Sequence, residues 1–313
     1  GVPDGLPQKD SDLLFDMSVG YDLAGIKTDR VTGFIKAMTD ASAVYERLLD
    51  TLPDDLAAYR DLSPNPNLSG CITLSTFHGC PADEIELIAR YLLEALDMHV
   101  VVKLNPTLLG QEDVEYVLRD HLGYEELTLD PKAFEEDLKW DQAIEMIGRL
   151  RTLAAQRNRY FGVKLTNTMV VNNHKDFFPA SEKQMYMSGQ PLHVLSSRLY
   201  AKIRSALPVW GDNGEAPLMY SFSAGIDQKN FWRAAAADLV PVTTCTDLLR
   251  PGGYGRLPKY LDRLESEMDT VGVSTMDDYI LGFEQAGAST LDDALRQHEI
   301  NPADFTALKS SPS

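Results

Sequence analysis

The sequence predicts an α/β fold of the (β/α)8, TIM-barrel-like kind, on three observations. Short apolar runs alternate with segments of helical periodicity along 313 residues, the pattern of parallel βαβ units. About six or seven such runs occur, close to the eight strands of a barrel. Polar residues collect just after the runs, where both barrels and open sheets bind ligands. A doubly wound open sheet is the alternative, and against it no Gly-x-Gly-x-x-Gly follows the first run.

Residues 1–12 are polar, with Pro and Gly, and read as a flexible lead-in. Leu13–Val19 is a first strand closed by Gly20. Apolar residues at helical spacing (Phe34, Ile35, Met38, Val44, Tyr45, Leu48) predict one helix over 31–49. Ser63–Gly70 is a loop. Cys71–Leu74 is a strand ending in Ser75-Thr-Phe-His-Gly-Cys-Pro81, and a helix starts at once, with Pro81 early and Asp83 and Glu84 in its first turn. Its inner face is Ile85, Ile88, Leu92 and Leu96. Val100–Leu104 is a strand followed by Asn105-Pro-Thr107.

Further on, 112–121 is helical and Glu125–Leu129 an edge-like strand. Trp140–Gln156 is a helix with Ile144, Ile147, Leu150 and Leu153 on one face. Phe161–Thr168 is a strand, Asn172–Ser188 a long polar loop of the kind that carries function, and Leu192–Leu207 a helix. Leu218–Phe222 is a strand ending in Ser223-Ala-Gly225, and Phe231–Ala237 a short helix. Leu239–Thr244 is the last strand. The barrel is expected over 13–265, with a helical extension over 266–313.

The net charge of −18 argues against a nucleic-acid surface. No apolar run approaches a membrane span, and no signal-peptide pattern opens the chain. Cys71, Cys80 and Cys245 make neither a disulfide framework nor a four-cysteine iron–sulfur site, so a reducing, cytoplasmic setting is expected. His78 and Cys80 form no metal pair with a second pair to support it, so no metal site is expected.

Three groups of residues could carry chemistry. Ser223-Ala224-Gly225 and Thr244-Cys245-Thr246 end consecutive strands, and backbone N–H groups there can hold a phosphate; a tight turn needing Gly is the plainer reading. Ser188-Gly189, before a helix, offers further donors or simple capping. Lys103 and Lys164 follow apolar residues near strand ends. Each reaches an ion-pair partner or a ligand, and Asn105, Thr166 and Asn167 beside them suit a planar heterocycle. Ser75, His78 and Cys80 form a reactive-looking loop at a helix start, a placement that can lower a thiol pKa; a space-filling Cys beside Pro81 is the alternative.

Longer stretches add a resemblance. They are Met17-Ser-Val-Gly-Tyr21 with Gly25-Ile-Lys27, Leu74-Ser-Thr-Phe-His-Gly-Cys-Pro81, Val102-Lys-Leu-Asn-Pro-Thr-Leu-Leu-Gly110 and Gly162-Val-Lys-Leu-Thr-Asn-Thr168. Glu182–Gly189 and Leu248–Tyr254 join them. Over residues 13–265 the chain resembles the flavin-binding barrel of the dihydroorotate and dihydropyrimidine dehydrogenases. More closely, it resembles the large flavoprotein oxidoreductases of the selenate reductase subunit (YgfK) type. The resemblance implies FMN, with Lys103 or Lys164 facing its ring and Thr166 and Asn167 binding it. Ser188, Gly189, Ala224, Gly225, Thr244 and Thr246 would hold its phosphate, and Cys80 would be the acid/base group. It also implies the first barrel strands on an upstream segment, and iron–sulfur and FAD modules, elsewhere in the polypeptide or on another chain. One departure is Ala224, where related sequences carry a second Gly.

The function expected is hydride transfer between FMN and a small heterocycle or other small oxidised molecule, with Cys80 passing the proton and electrons moving on through those outside modules. The alternatives are a barrel without flavin, serving as scaffold or docking subunit of a redox complex, and a non-redox phosphate-binding barrel.

Overall fold

The computed structural model of the chain describes residues 15–61, 65–76, 79–174, 178–208 and 217–282. Its centre is a five-stranded parallel sheet in the order β1-β2-β3-β4-β7: β1 Met17–Val19, β2 Cys71–Ser75, β3 His99–Leu104, β4 Phe161–Leu165 and β7 Leu218–Phe222. The two remaining strands, β5 Met169–Asn172 and β6 Gln184–Met187, form an antiparallel hairpin. The helices are α1 Leu23–Ile26, α2 Asp29–Thr39, α3 Ser42–Asp50, α4 Ala82–Glu94, α5 Gln111–Glu115, α6 Pro131–Glu136, α7 Trp140–Gln156, α8 Gln190–Ala206, α9 Phe231–Ala236, α10 Pro258–Val271 and α11 Met276–Gly282.

Register decides what each face of the sheet does. Ile72, Val100, Phe161 and Leu218 stand in one row, and Leu74, Val102, Val163 and Tyr220 in another. These side chains are buried with Ile85, Ile88 and Leu92 of α4 and Met146, Ile147 and Leu150 of α7 in one core. Each fully buried Leu or Ile there contributes roughly 1.5–3 kcal/mol. Because strand side chains alternate, the residues between these rows face the other side. That side carries Cys71, Thr73 and Ser75 of β2, Lys103 of β3, Gly162 and Lys164 of β4 and Ser221 of β7. A Cβ on Gly162 would lie 2.8 Å from the carbonyl O of Met219 on the neighbouring strand, so only glycine fits in that row.

Several expected elements come out differently. The helix expected over 31–49 breaks at Asp40, whose Oδ1 accepts from the N–H (3.1 Å) and hydroxyl (2.6 Å) of Ser42 and so starts α3 afresh. The expected 112–121 helix continues from α5 into a π-helical turn, Tyr116–His121. Glu125–Leu129 forms no strand, only a single bridge from Leu129 to Val171. β4 stops at Leu165, and the long polar loop contains β6. The last strand is reduced to one bridge between Phe222 and Val242. Pro241 has no N–H to give a ladder, although Val240 and Thr243 still donate to Tyr220 and Phe222. On α7, Ile144 is only half-buried and Ala143 and Met146 take its place inside. The boundary drawn at residue 265 falls inside α10. No described helix is long and apolar enough to cross a membrane.

Candidate active site

The C-terminal ends of β2, β3, β4 and β7 come together, and with them most of the polar residues picked from the sequence. The register sets Ser75, Lys103, Lys164 and Ser221 in one row across these four strands. The two lysines are therefore neighbours on one face, rather than rivals for a single position. Among the described residues neither makes an ion pair within 4.0 Å. Burial pushes the Lys164 ammonium below its ordinary value, while Asp16 and Cys71 draw it back up. Lys103 is lowered by burial and then by Lys164, with Cys245 acting the other way. The floor beneath Lys164 is held by Asp16, whose Oδ2 accepts from the Thr73 hydroxyl at 3.0 Å.

Just past the row, the chain after β4 folds over the end of β3. The Asn167 N–H donates to the Leu104 carbonyl at 2.8 Å. Its side-chain Nδ2 donates to Asn105 Oδ1 (2.8 Å) and to the Thr76 carbonyl (3.0 Å). Ser75 Oγ stands 3.5 Å from Asn167 Oδ1, a long contact. Both asparagines are buried. With Nδ2 of Asn167 used, the pair presents Oδ1 of Asn167 as acceptor and Nδ2 of Asn105 as donor. An acceptor and a donor side by side match the lactam edge of a heterocycle. Thr166 turns the other way: its hydroxyl shares a hydrogen bond of 2.8 Å with Ser196 on α8.

The second group lies where α8 begins. Gly189 is the N-cap of α8, no side chain caps the helix, and Pro191 stands in its first turn. Gly225, at φ +56°, packs directly on Gly189; a Cβ there would lie 2.7 Å from the Gly189 carbonyl carbon and 3.0 Å from His193 Cβ. Thr246 approaches Gly189 from the third side, its methyl 3.5 Å from where a Cβ would be. Among the described residues, the N–H groups of Gly189, Ala224, Gly225 and Thr246 donate no hydrogen bond. Open backbone donors close to a helix start can hold an anion. The loop is pinned from below. His193 Nδ1 lies 2.8 Å from the Ala224 carbonyl, and Gln190 and Asn230 both donate to the Gly225 carbonyl (3.1 and 2.9 Å). Burial pushes His193 below its ordinary pKa, so it is neutral and gives its Nδ1 proton to that carbonyl. The Thr244 hydroxyl points elsewhere, donating to the Ile226 carbonyl at 3.0 Å. Ser188 lies at the rim, lining an apolar cleft with Tyr124, Met185 and Met187.

Cys80, the thiol expected to do acid/base work, lies apart from the lysine row in a different cleft. Cys80 is buried in the core, and burial, followed by Glu84 and Asp83, pushes it up to about 11. The helix start does not lower it, because desolvation and two first-turn carboxylates outweigh the dipole. Cys80 lines a cleft with Glu135, Lys139 and Arg149, away from the lysine row. His78 lies outside the described residues. The exposed thiol is Cys245. Sequence reading passed over Cys245, although it stands between Thr244 and Thr246. It also missed Thr76, Asp16, His193 and Asp137. The Asp137 carboxylate accepts from Gly79 N–H and Thr107 Oγ1, both at 2.7 Å, and fixes the loop after β2. No single-residue pattern announces these; they act only once distant strands meet. No group of three or more His, Cys, Asp or Glu among the described residues could hold a metal.

Comparison with known proteins shows the family of the chain. The profile described as "Oxidoreductase YgfK, N-terminal TIM-barrel domain" matches residues 5–294. Two Escherichia coli proteins named YgfK, from strain K12 and from O157:H7 and both oxidoreductases by name, are 39% identical over 300 residues. The match takes in 90% of this chain and 28% of each relative's length. The crystal structure of DHODH from Eimeria tenella, in complex with ferulenol, aligns with a TM-score of 0.37 at 15% identity, covering 75% of this chain and 66% of that one.

Proposed function

The chain belongs to the family of the YgfK oxidoreductase N-terminal TIM-barrel domain, and on that premise we propose that it is the FMN-binding portion of an oxidoreductase acting on a small, oxidisable or reducible molecule. The observation that carries this reading is the pairing of two features at one end of the sheet. One is a cradle of backbone N–H groups, at Gly189, Ala224, Gly225 and Thr246, that donate to nothing else among the described residues. The other is a row of two lysines, Lys164 buried and Lys103 half-buried, beside a buried asparagine pair. A phosphate at the first and a flat, electron-accepting ring at the second describe one long ligand.

Both features suit FMN. Glycine at 225 lets its loop pack on Gly189 at the start of α8, and the open N–H groups there would hold a phosphate monoester. When bound, FMN supplies a two-electron centre for exchange of a hydride with the substrate. Lys164 and Lys103 would supply positive charge beside the bound group and favour negative charge there. Asn105 and Asn167 orient the ring edge through their fixed donor and acceptor. Ser75, in the same row as the lysines, is the hydroxyl of the β2 loop placed to hold a proton for the substrate; Cys80, buried and pushed up to about 11, is a poor donor from where it stands. The onward route for electrons lies in modules outside this chain, a reading supported by the 28% of each YgfK relative that the match spans. A small-molecule substrate and a cytoplasmic setting complete the proposal.

The test is the absorbance spectrum of the purified chain, with added FMN if it is colourless. Bound FMN with flavin bands, lost in Lys164→Ala and Asn167→Ala, is the expected result. A chain that stays colourless and binds no FMN sinks the reading and leaves a scaffold barrel. FMN binding unchanged by both substitutions overturns the residue assignment.

A further inference from the structure

Two consecutive peptides of the loop after β7 have their carbonyls fixed by side-chain donors. The Ala224 carbonyl accepts from His193 Nδ1 at 2.8 Å, and the Gly225 carbonyl accepts from Gln190 Nε2 (3.1 Å) and Asn230 Nδ2 (2.9 Å). The Ala224–Gly225 peptide is trans. In a trans peptide the N–H points opposite to the C=O. A donor on the Ala224 carbonyl therefore sets the direction of the Gly225 N–H, one of the open donors at the start of α8. The two carbonyls are not held alike. Gly225 has two donors, so losing one leaves the other. Among the described residues, His193 alone donates to the Ala224 carbonyl.

His193 also joins the two halves of the cradle. Its backbone N–H closes on the Gly189 carbonyl at 3.1 Å, while its ring holds Ala224. Gln190 and His193 stand three apart on α8 and so share the face that meets the loop. The ring is buried and set edge-on against Phe222, with centroids 5.3 Å apart. A carbonyl only accepts, so Nδ1 carries a proton.

We propose that His193 is a positioning residue for the cradle: its ring hydrogen bond aims the Gly225 N–H and so gives the site its preference for a phosphorylated flavin over an unphosphorylated one. The inference rests on the flavin reading above and names the side chain behind one part of it. His193 acts through the Gly225 peptide. A hydrogen bond on the carbonyl also polarises the same amide, which strengthens its N–H as a donor to an anion. Misdirecting one backbone donor to a charged acceptor corresponds to about tenfold in affinity, near 1.4 kcal/mol.

The experiment titrates FMN and riboflavin, which share a ring and differ by the phosphate, into the full chain and follows flavin fluorescence. It compares the parent with His193→Phe, which keeps a ring against Phe222 but has no donor, and with His193→Asn, whose amide N–H reaches close to the place of Nδ1. The parent should prefer FMN. His193→Phe should weaken FMN by about tenfold and leave riboflavin within about twofold, and His193→Asn should regain most of the FMN affinity. If His193→Phe does not fold, His193→Leu takes its place in the same comparison. An FMN preference unchanged in His193→Phe, equal loss of both flavins, or no recovery in His193→Asn would overturn the proposal and leave His193 a packing residue. A parent that binds both flavins alike would sink it too, with the ring site still standing. A parent that binds neither flavin would overturn the flavin reading itself, and this inference with it.

Discussion

Lys164 costs the fold stability, and the cost is legible in its surroundings. Its side chain is buried, and desolvation lowers its pKa more than Asp16 and Cys71 restore it. With the folded pKa below the unfolded value, the unfolded chain holds more protons between the two, so stability rises as pH climbs through that window toward the ordinary lysine value. Lys164→Met should therefore raise the melting temperature near neutral pH, by roughly 2–4 °C if about 1 kcal/mol is regained, and the gain should shrink at alkaline pH. A variant less stable than the parent at neutral pH would show that the ammonium is well paired. The thiols have the opposite sign. Burial pushes Cys71 up to about 12 and Cys80 to about 11 from 9.0. They stay protonated in the folded chain where the unfolded chain has lost its protons, which erodes stability above pH ~9. Reactivity follows the same order. Mass spectrometry after brief alkylation of the native chain at mildly alkaline pH should find the label on exposed Cys245 well before Cys80; comparable labelling of Cys80 would refute its burial.

At the scale of elements, two contacts set the cradle. The first is Gly225 on the start of α8. At φ +56°, with a Cβ 2.7 Å from the Gly189 carbonyl carbon, Gly225→Val must push loop and helix apart. It should cost about 1–3 kcal/mol in urea unfolding and weaken FMN far more than it weakens the fold; an unchanged FMN affinity would remove the cradle from the site. The second contact holds the turn after Cys245. Asp247 is buried and takes two hydrogen bonds from Arg256 (2.9 and 2.8 Å) and one from the Tyr260 hydroxyl (2.8 Å). Burial raises its pKa, but Arg256 and Tyr260 outweigh it and the net shift is downward. That contribution is present above the ordinary carboxylate value and lost as pH falls through the lowered one. Asp247→Asn should cost roughly 3 kcal/mol at neutral pH and flatten the acid limb of the stability profile, read by thermal melts across pH. These contacts also show where sequence reading stops. The end of β3 at Leu104, the end of β2 within a residue and the capping at Gly189 were legible because period and capping are local; the stop of β4 at Leu165, three residues before the expected Thr168, was not. The hairpin of β5 and β6 was not, because Met185 and Met187 carry no strand alternation until Met169 and Val171 pair with them. The break at Asp40 was hidden because the apolar spacing continues through it.

For the whole molecule, the parallel βαβ order and the face of the sheet where polar residues collect could be read in advance, since both follow from alternation along single strands. The register could not. Only pairing β3 with β4 turns Lys103 and Lys164 from alternatives into neighbours, and only the burial of Cys80 takes it out of the lysine row. The same scale bears on how such a chain obtains electrons. The match spans 28% of each YgfK relative, and no Gly-x-Gly-x-x-Gly follows the first strand to receive a nicotinamide dinucleotide. If FMN binds as proposed, this chain should be able to hold reduced flavin without being able to draw electrons from NADH or NADPH. Anaerobic dithionite should bleach the flavin band within mixing time, the lysine row stabilising the negative charge that forms. NADH or NADPH at saturating concentration should leave the band at its oxidised height over minutes. Adding the remaining modules of a YgfK relative should then let one of the two dinucleotides bleach it. Direct bleaching of the isolated chain by either dinucleotide, at a rate matching dithionite, would place the electron input inside these 313 residues and overturn the division of labour argued here.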